Sequence, residues 1–202
     1  MVSFRYARAI EPRKTTKQDL KAAAIHLLAR GGPQAASVRS ITKRAGVTEA
    51  ALYRHYRNKD ALYYEACAEV VLRMIEEKRR LIARKAPAAA RLRDWVRLTY
   101  EFFDSNADAF ACVFLRDDGP DIKVQSVDGQ QSGMFQTLYL DGVRAGEFLP
   151  MDEHLATALF SGAMLQIPRL IDKGVLPGPA MNFADLVADR VLWMLRPEHD
   201  LS

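Results

Sequence analysis

Residues 37–59, SVRSITKRAGVTEAALYRHYRNK, decide how this chain is read. Two short helical stretches flank a tight turn at Ala45-Gly46-Val47. Gly46 can adopt the left-handed backbone conformation that such a turn needs. Ser37 and Thr48 stand at N-cap positions, and Val38, Ile41 and Ala45 recur on one inward face. In the second stretch Leu52 and Tyr56 lie one turn apart and point inward, while Glu49, Tyr53, Ala50 and Arg54 fall on the other side. This is the layout of a helix-turn-helix, whose second helix enters the major groove of DNA.

Working outward, a capping box at Thr15 and Gln18 predicts a helix beginning near Thr15 or Thr16. Leu20, Ala24, Leu27 and Leu28 give it an apolar face, and Gly31-Gly32-Pro33 ends it. Asn58 can cap a long fourth helix from Lys59 toward Arg84, striped by Leu62, Ala66, Val70, Met74 and Leu81. Pro87 stops it or starts the next. Further helices are predicted near 88–105, 108–115, 122–145, 152–173 and 182–195. No stretch alternates strongly enough for a strand, so the fold class is all-α.

Composition narrows the class. Of 202 residues, 49% are hydrophobic and 27% charged, as in an ordinary globular protein. No apolar run is long enough to span a bilayer, so no membrane partner is expected. The opening MVSFRYARAIEPRKTTK lacks the apolar core of a signal peptide and reads as a flexible basic tail over 1–15. Cys67 and Cys112 have no metal-type spacing. They read as buried thiols in a reducing cytoplasm or, alternatively, as a redox pair. The net charge of +4 conceals a split. Residues 1–60 hold 13 Lys or Arg against 4 Asp or Glu, and the remainder hold 16 against 21. Positive charge therefore gathers on the end that carries the groove-reading pattern.

Three segments together resemble the DNA-binding domain of the TetR family of bacterial transcriptional regulators. They are Ile41-Thr42-Lys43-Arg44-Ala45-Gly46-Val47, Leu52-Tyr53-Arg54-His55-Tyr56 and Lys59-Asp60-Ala61-Leu62, within a region spanning 16–62. The resemblance implies an N-terminal three-helix head, a linking helix to about residue 85, and a C-terminal helical ligand-binding and dimerisation domain over 63–202. It also implies a homodimer on a pseudo-palindromic double-stranded operator, most often a repressor, released by a small-molecule effector. An architectural or nonspecific DNA-binding protein without an inducer is the alternative. The acidic balance of the remainder argues against it.

Candidate DNA-binding residues follow. Thr48 opens the third helix, where free N–H groups and the helix dipole favour phosphate. Tyr53, His55 and Lys59 match family positions that contact the backbone, and Ser37 and Arg39 begin the helix that crosses it. Such contacts position the protein and carry salt dependence. Base reading falls to Glu49, which could accept from cytosine, and Arg54, which could fork onto guanine. Ala50 and Ala51 are expected only to touch a thymine methyl or admit the backbone. The commoner family pattern has Gly and a small hydroxyl residue there, so a hydroxyl contact to phosphate is missing at Ala51.

In the C-terminal region Trp95, Phe102, Phe103, Phe110, Phe114, Met134, Phe135 and Tyr139 could line an apolar pocket or fill a core. The pocket reading implies an apolar or aromatic effector. A kink at Pro168 could aim Gln166 or Arg169 into such a pocket. Arg91, Arg93, Arg97, Arg116 and Arg169 could hold an acidic group or be solvated. For dimerisation the resemblance points to the last two long helices. Leu155, Leu159, Gly162, Ala163 and Gln166 mark the first, and Leu186, Val187, Val191, Met194 and Leu195 the second; packing within one chain is the alternative. An enzyme is not expected, since HExxH, P-loop, GxGxxG and GxSxG patterns are missing. His26, His55, His154 and His199 share no ligand spacing, and Asp117, Asp118 and Asp121 read as a solvated turn. No metal or cofactor is expected.

Overall fold

Thr15 begins the first helix as its spacing predicts: its hydroxyl accepts from Gln18 N–H, and the Gln18 side chain accepts from Thr15 N–H at 2.9 Å. The computed structural model describes residues 15–115 and 124–197. The expected tail (residues 1–14), Arg116, the Asp117, Asp118 and Asp121 turn, and His199 lie outside the described residues. Helix α1 is Thr16–Ala35, with one break at Gly32, where φ reaches 66°. Then come α2 (Val38–Ala45), α3 (Glu49–His55) and α4 (Lys59–Ile82). Serine, threonine and asparagine cap all three: Ser37, Thr48 and Asn58 accept from the N–H three residues on. Gly46, at φ 68°, ends α2 in the left-handed conformation.

The body follows as α5 (Ala88–Ser105), α6 (Ala107–Phe110), α7 (Val124–Arg144), α8 (Glu153–Asp172) and α9 (Ala184–Met194). A π-helical turn, Ala111–Leu115, continues α6, and a 3₁₀ turn, Ala180–Phe183, leads into α9. Among the described residues every regular element is a helix. Pro168 lies inside α8 with its ring buried, and the helix continues through it to Asp172.

Two apolar cores share α4. The head core gathers Leu20, Leu28, Ile41, Leu52, Leu62 and Cys67, joined by Cys112 from the π turn. The body core begins on α4 at Met74 and takes in Trp95, Tyr100, Phe135, Tyr139 and Phe160. The changeover falls between Cys67 and Met74, so the head interior reaches farther along α4 than residue 62. Burying a side chain such as Leu52 stabilises by about 1.5–3 kcal/mol. The head therefore depends on a handful of such residues and on the helix it shares.

Candidate nucleic-acid interface

Helix α3 is short, and its two sides differ sharply. Ala51 and Leu52 are buried in the head interior with Tyr56, the C-cap. Glu49, Ala50, Tyr53, Arg54 and His55 are exposed, Tyr53 by 55%. Glu49, Ala50, Tyr53 and Arg54 thus share one open side of the helix, and His55 is exposed at its last residue. Ser37, Arg39 and Thr48 are exposed beside it, and Lys59 is half-buried at the start of α4. Arg54 and His55 lie in the last turn of α3 and Glu49 in the first, each placed favourably for the helix dipole.

One expectation is corrected. Ala51 cannot meet a thymine methyl, because its side chain is 5% exposed and packs into the head. One residue step turns a helical side chain by about 100°, enough to separate Ala50 outside from Ala51 inside. The Ala51 N–H donates to the Thr48 hydroxyl at 3.2 Å, completing the cap. Lys43, Arg44 and Arg57 are also exposed and add positive field.

Ion pairs tie the head to its surroundings. Lys17 reaches Glu65 at 2.9 Å and Lys21 reaches Glu69 at 2.5 Å, joining α1 to α4. The hydrogen bond from Lys17 holds the Glu65 carboxyl below its usual range. Asp108 of α6 receives both His26, at 2.6 Å, and the Arg30 Nε–H, at 2.9 Å, across from α1. Sequence alone missed this bridge, since its partners are far apart along the chain. Cys67 and Cys112 lie with their Sγ atoms 3.5 Å apart. The hydrogen bond between them and burial push the Cys67 thiol well above its usual range, which keeps it protonated.

The aromatic residues offered as a pocket pack largely on one another. Phe135 stacks on Phe160 with centroids 4.2 Å apart, and both meet the edge of Trp95. Phe110 packs against Phe103, Phe102 and Phe114. Tyr139 is structural: its hydroxyl donates to the Leu149 carbonyl and accepts from Met151 N–H, each at 2.8 Å, pinning the turn before α8. Met134 is half-buried against this core. Gln166 is exposed on the outer side of α8 and lines no interior site. Arg169 is half-buried, with its Nε–H buried and unpartnered.

Open space occurs elsewhere. A groove of about 650 Å³ runs between α1, α4 and α6, lined by Ile25, Val70 and Phe102 with Lys21, Arg73 and Asp108. A second, of about 290 Å³, lies between α4 and α5 over Met74, Leu98 and Phe102. Of the expected pocket residues, Phe102 lines both grooves.

The faces expected to pair in a dimer also differ from the sequence expectation. Val187, Val191 and Leu195 face the body core, so the inner side of α9 is already occupied. The outer side presents Leu186 and Trp193, Trp193 59% exposed, and α8 likewise exposes Leu155 and Leu159. Trp193 lies two turns beyond Leu186 on the same side of α9, and of the two the sequence reading named only Leu186. No helix among the described residues is long and apolar enough to cross a membrane.

Comparison with known proteins agrees with the geometry. Residues 20–66 match the family of bacterial regulatory proteins, tetR family. No curated protein matches the chain. Among solved structures, the ketosteroid transcriptional regulator KstR2 of Mycobacterium tuberculosis is similar at TM-score 0.78 and 19% identity, over 93% of this chain and 98% of that one. A bacterial regulatory protein in the tetR family from Rhodococcus RHA1 gives 0.77 and 20%, over 91% and 98%. The regulator FadR from Bacillus subtilis, in complex with stearoyl-CoA, gives 0.75 and 17%, over 88% and 98%. Residues 20–66, which carry the exposed side of α3, are thus similar to the tetR family of bacterial regulatory proteins, and the chain shares the fold of these regulators.

Proposed function

We propose that this chain is a cytoplasmic, ligand-responsive transcriptional regulator, a homodimeric repressor that a small apolar or aromatic molecule releases from a pseudo-palindromic operator. The observation that carries this reading is the continuity of α4. It starts at Lys59 beside the exposed face of α3 and ends at Ile82 in the body, contributing to both cores. Whatever displaces α4 in the body moves the recognition helix.

In this reading Tyr53, His55, Lys59, Thr48, Ser37 and Arg39 hold phosphates, and Glu49 and Arg54 read bases with Ala50 close to the groove floor. Leu155, Leu159, Leu186 and Trp193 meet their copies in a second subunit. The effector enters the α4–α5 groove over Met74, Leu98 and Phe102 rather than the packed aromatic core. The stearoyl-CoA complex of the similarly folded Bacillus subtilis regulator supports a body that admits an apolar effector. Entry forces α4 from α5, and the two α3 helices lose the spacing of about 34–36 Å that successive major grooves require. The effector must bind the released state better than the DNA-bound state.

The test is a gel-shift titration at fixed salt, using a duplex enriched by the protein from a random pool. Specific binding that no small molecule alters would sink the inducible reading. A specificity ratio near one against random duplex would favour the nonspecific DNA-binding alternative.

A further inference from the structure

Lys78 is a buried cation on α4, in the body, with 1% of its surface exposed. Among the described residues no carboxylate pairs with it; its ammonium donates to Gln131 Oε1 at 2.7 Å and lies over the Trp95 ring, 4.6 Å from the centroid. Two more donors sit beside it unmet. Gln131 Nε2 and Trp95 Nε1 are both buried without a hydrogen-bond partner. The unmatched atoms here are therefore all donors: the remaining ammonium hydrogens, an amide and an indole N–H. Burial without a counter-ion lowers the pKa of Lys78 to about 7.

A groove with an apolar floor and a charged rim lies close to this cluster. Lys78 lies one turn along α4 from Met74, and Trp95 one turn back along α5 from Leu98. Met74, Leu98 and Phe102 supply the apolar part of the groove of about 290 Å³, which Arg73, Glu77 and Glu101 also line. A helical turn advances about 5.4 Å, so the buried cluster lies about one turn from Met74 and Leu98 without itself lining the groove.

We infer that Lys78, Gln131 and Trp95 form the polar end of the effector site, and that the effector is an apolar molecule bearing one carboxylate. Two acceptor oxygens and a single negative charge complement three donors and a single positive charge. The apolar part lies over Met74, Leu98 and Phe102. Lys78 is carried by α4 itself, so pairing with it acts on the helix that orients α3. This inference rests on the reading of the body as an effector-binding unit.

The experiment is calorimetric titration of the full chain with decanoate and phenylhexanoate, and with decanol and methyl decanoate, all below their micellar concentrations. The carboxylates are expected to bind about tenfold or more tightly than the uncharged probes. Lys78→Met keeps an unbranched apolar side chain and should erase that preference, and Gln131→Leu should reduce it. Equal binding of acid and alcohol to the unaltered protein, a preference that survives Lys78→Met, or no carboxylate binding would each overturn the inference. Gel shifts with the selected duplex separate the two readings. Release by decanol as effective as by decanoate leaves the regulator standing and removes the carboxylate site. Carboxylate binding that requires Lys78 yet leaves duplex affinity unchanged keeps the site and removes the inducible regulator.

Discussion

Head and body fill their interiors in different ways. The head packs aliphatic residues from α1 to α4 around Leu20, Ile41, Leu52 and Leu62, and side-chain caps close the starts of all four helices. The body stacks aromatic rings and also encloses polar atoms that lack partners, on Arg91, Trp95, Gln131 and Arg169, as well as the cation Lys78, whereas the head holds one such atom, the Tyr56 hydroxyl. A reading head must present α3 in one pose, and local chemistry is enough to specify that. A body that exchanges ligands can retain unmet hydrogen-bonding groups, because a bound molecule can satisfy them. In the proposed function, the contrast separates the part built for a fixed shape from the part built to respond.

The sharpest way to break this contrast is to cut into each core. Phe135→Ala should cost about 3–5 kcal/mol and Leu52→Ala about 2–5 kcal/mol, read by urea denaturation. Because α4 serves both interiors, each variant should still unfold in one transition. A biphasic curve for Leu52→Ala would show the head melting on its own.

Lys78 makes the second comparison. Its folded-state pKa of about 7 lies below its ordinary value of 10.5, so between these limits the unfolded chain holds the proton more tightly. Its contribution to stability therefore rises with pH across that window, by up to roughly 1.4 kcal/mol per unit. Stability of the unaltered protein relative to Lys78→Met, measured from pH 6 to 10, should rise on this side alone. A flat difference would show that the ammonium is not confined in a dry interior.

Smaller effects probe the head surface. Arg54→Ala should remove about 1–3 kcal/mol of discrimination at one base position while leaving random-duplex affinity nearly intact. Lys59→Ala should weaken binding to every sequence and lower the salt slope by about one. Both are read by fluorescence anisotropy at several salt concentrations. Identical effects from the two would erase the division between reading and holding. Thr48→Ala should cost about 1 kcal/mol in thermal melting, since it deprives Ala51 N–H of its cap.

The head was largely legible in the sequence because its signals are local. Thr15, Ser37, Thr48 and Asn58 lie next to the helices they start, and Gly46 lies in the turn it permits. Side chains whose role depends on distant neighbours were harder. Ala51 and Ala50 are adjacent alanines, and the packing of α1 and α2 on α3 decides which is inside. Val187, Val191 and Leu195 follow the same helical periodicity as Leu186 and Trp193, but α5 covers one set and leaves the other open. Lys78 did carry a signal. It occupies the next step of the Leu62, Ala66, Val70, Met74 stripe, where a charge is out of place. The aromatic residues of the body read as filling from their spacing and as lining only from the family resemblance, and their mutual stacking in space favours filling.

The π turn at Ala111–Leu115 has a practical consequence. Phe110, just before it, packs in the body, whereas Cys112, two residues later, lies against Cys67 in the head. The DNA-reading end is therefore not a detachable cassette of the first sixty-odd residues. A graft that transplants only that stretch onto another body leaves a hole where Cys112 sat and strips Asp108 from His26 and Arg30. Chimaeras that keep their grip on the operator should need segment 107–115 and the first half of α4 to travel with the head.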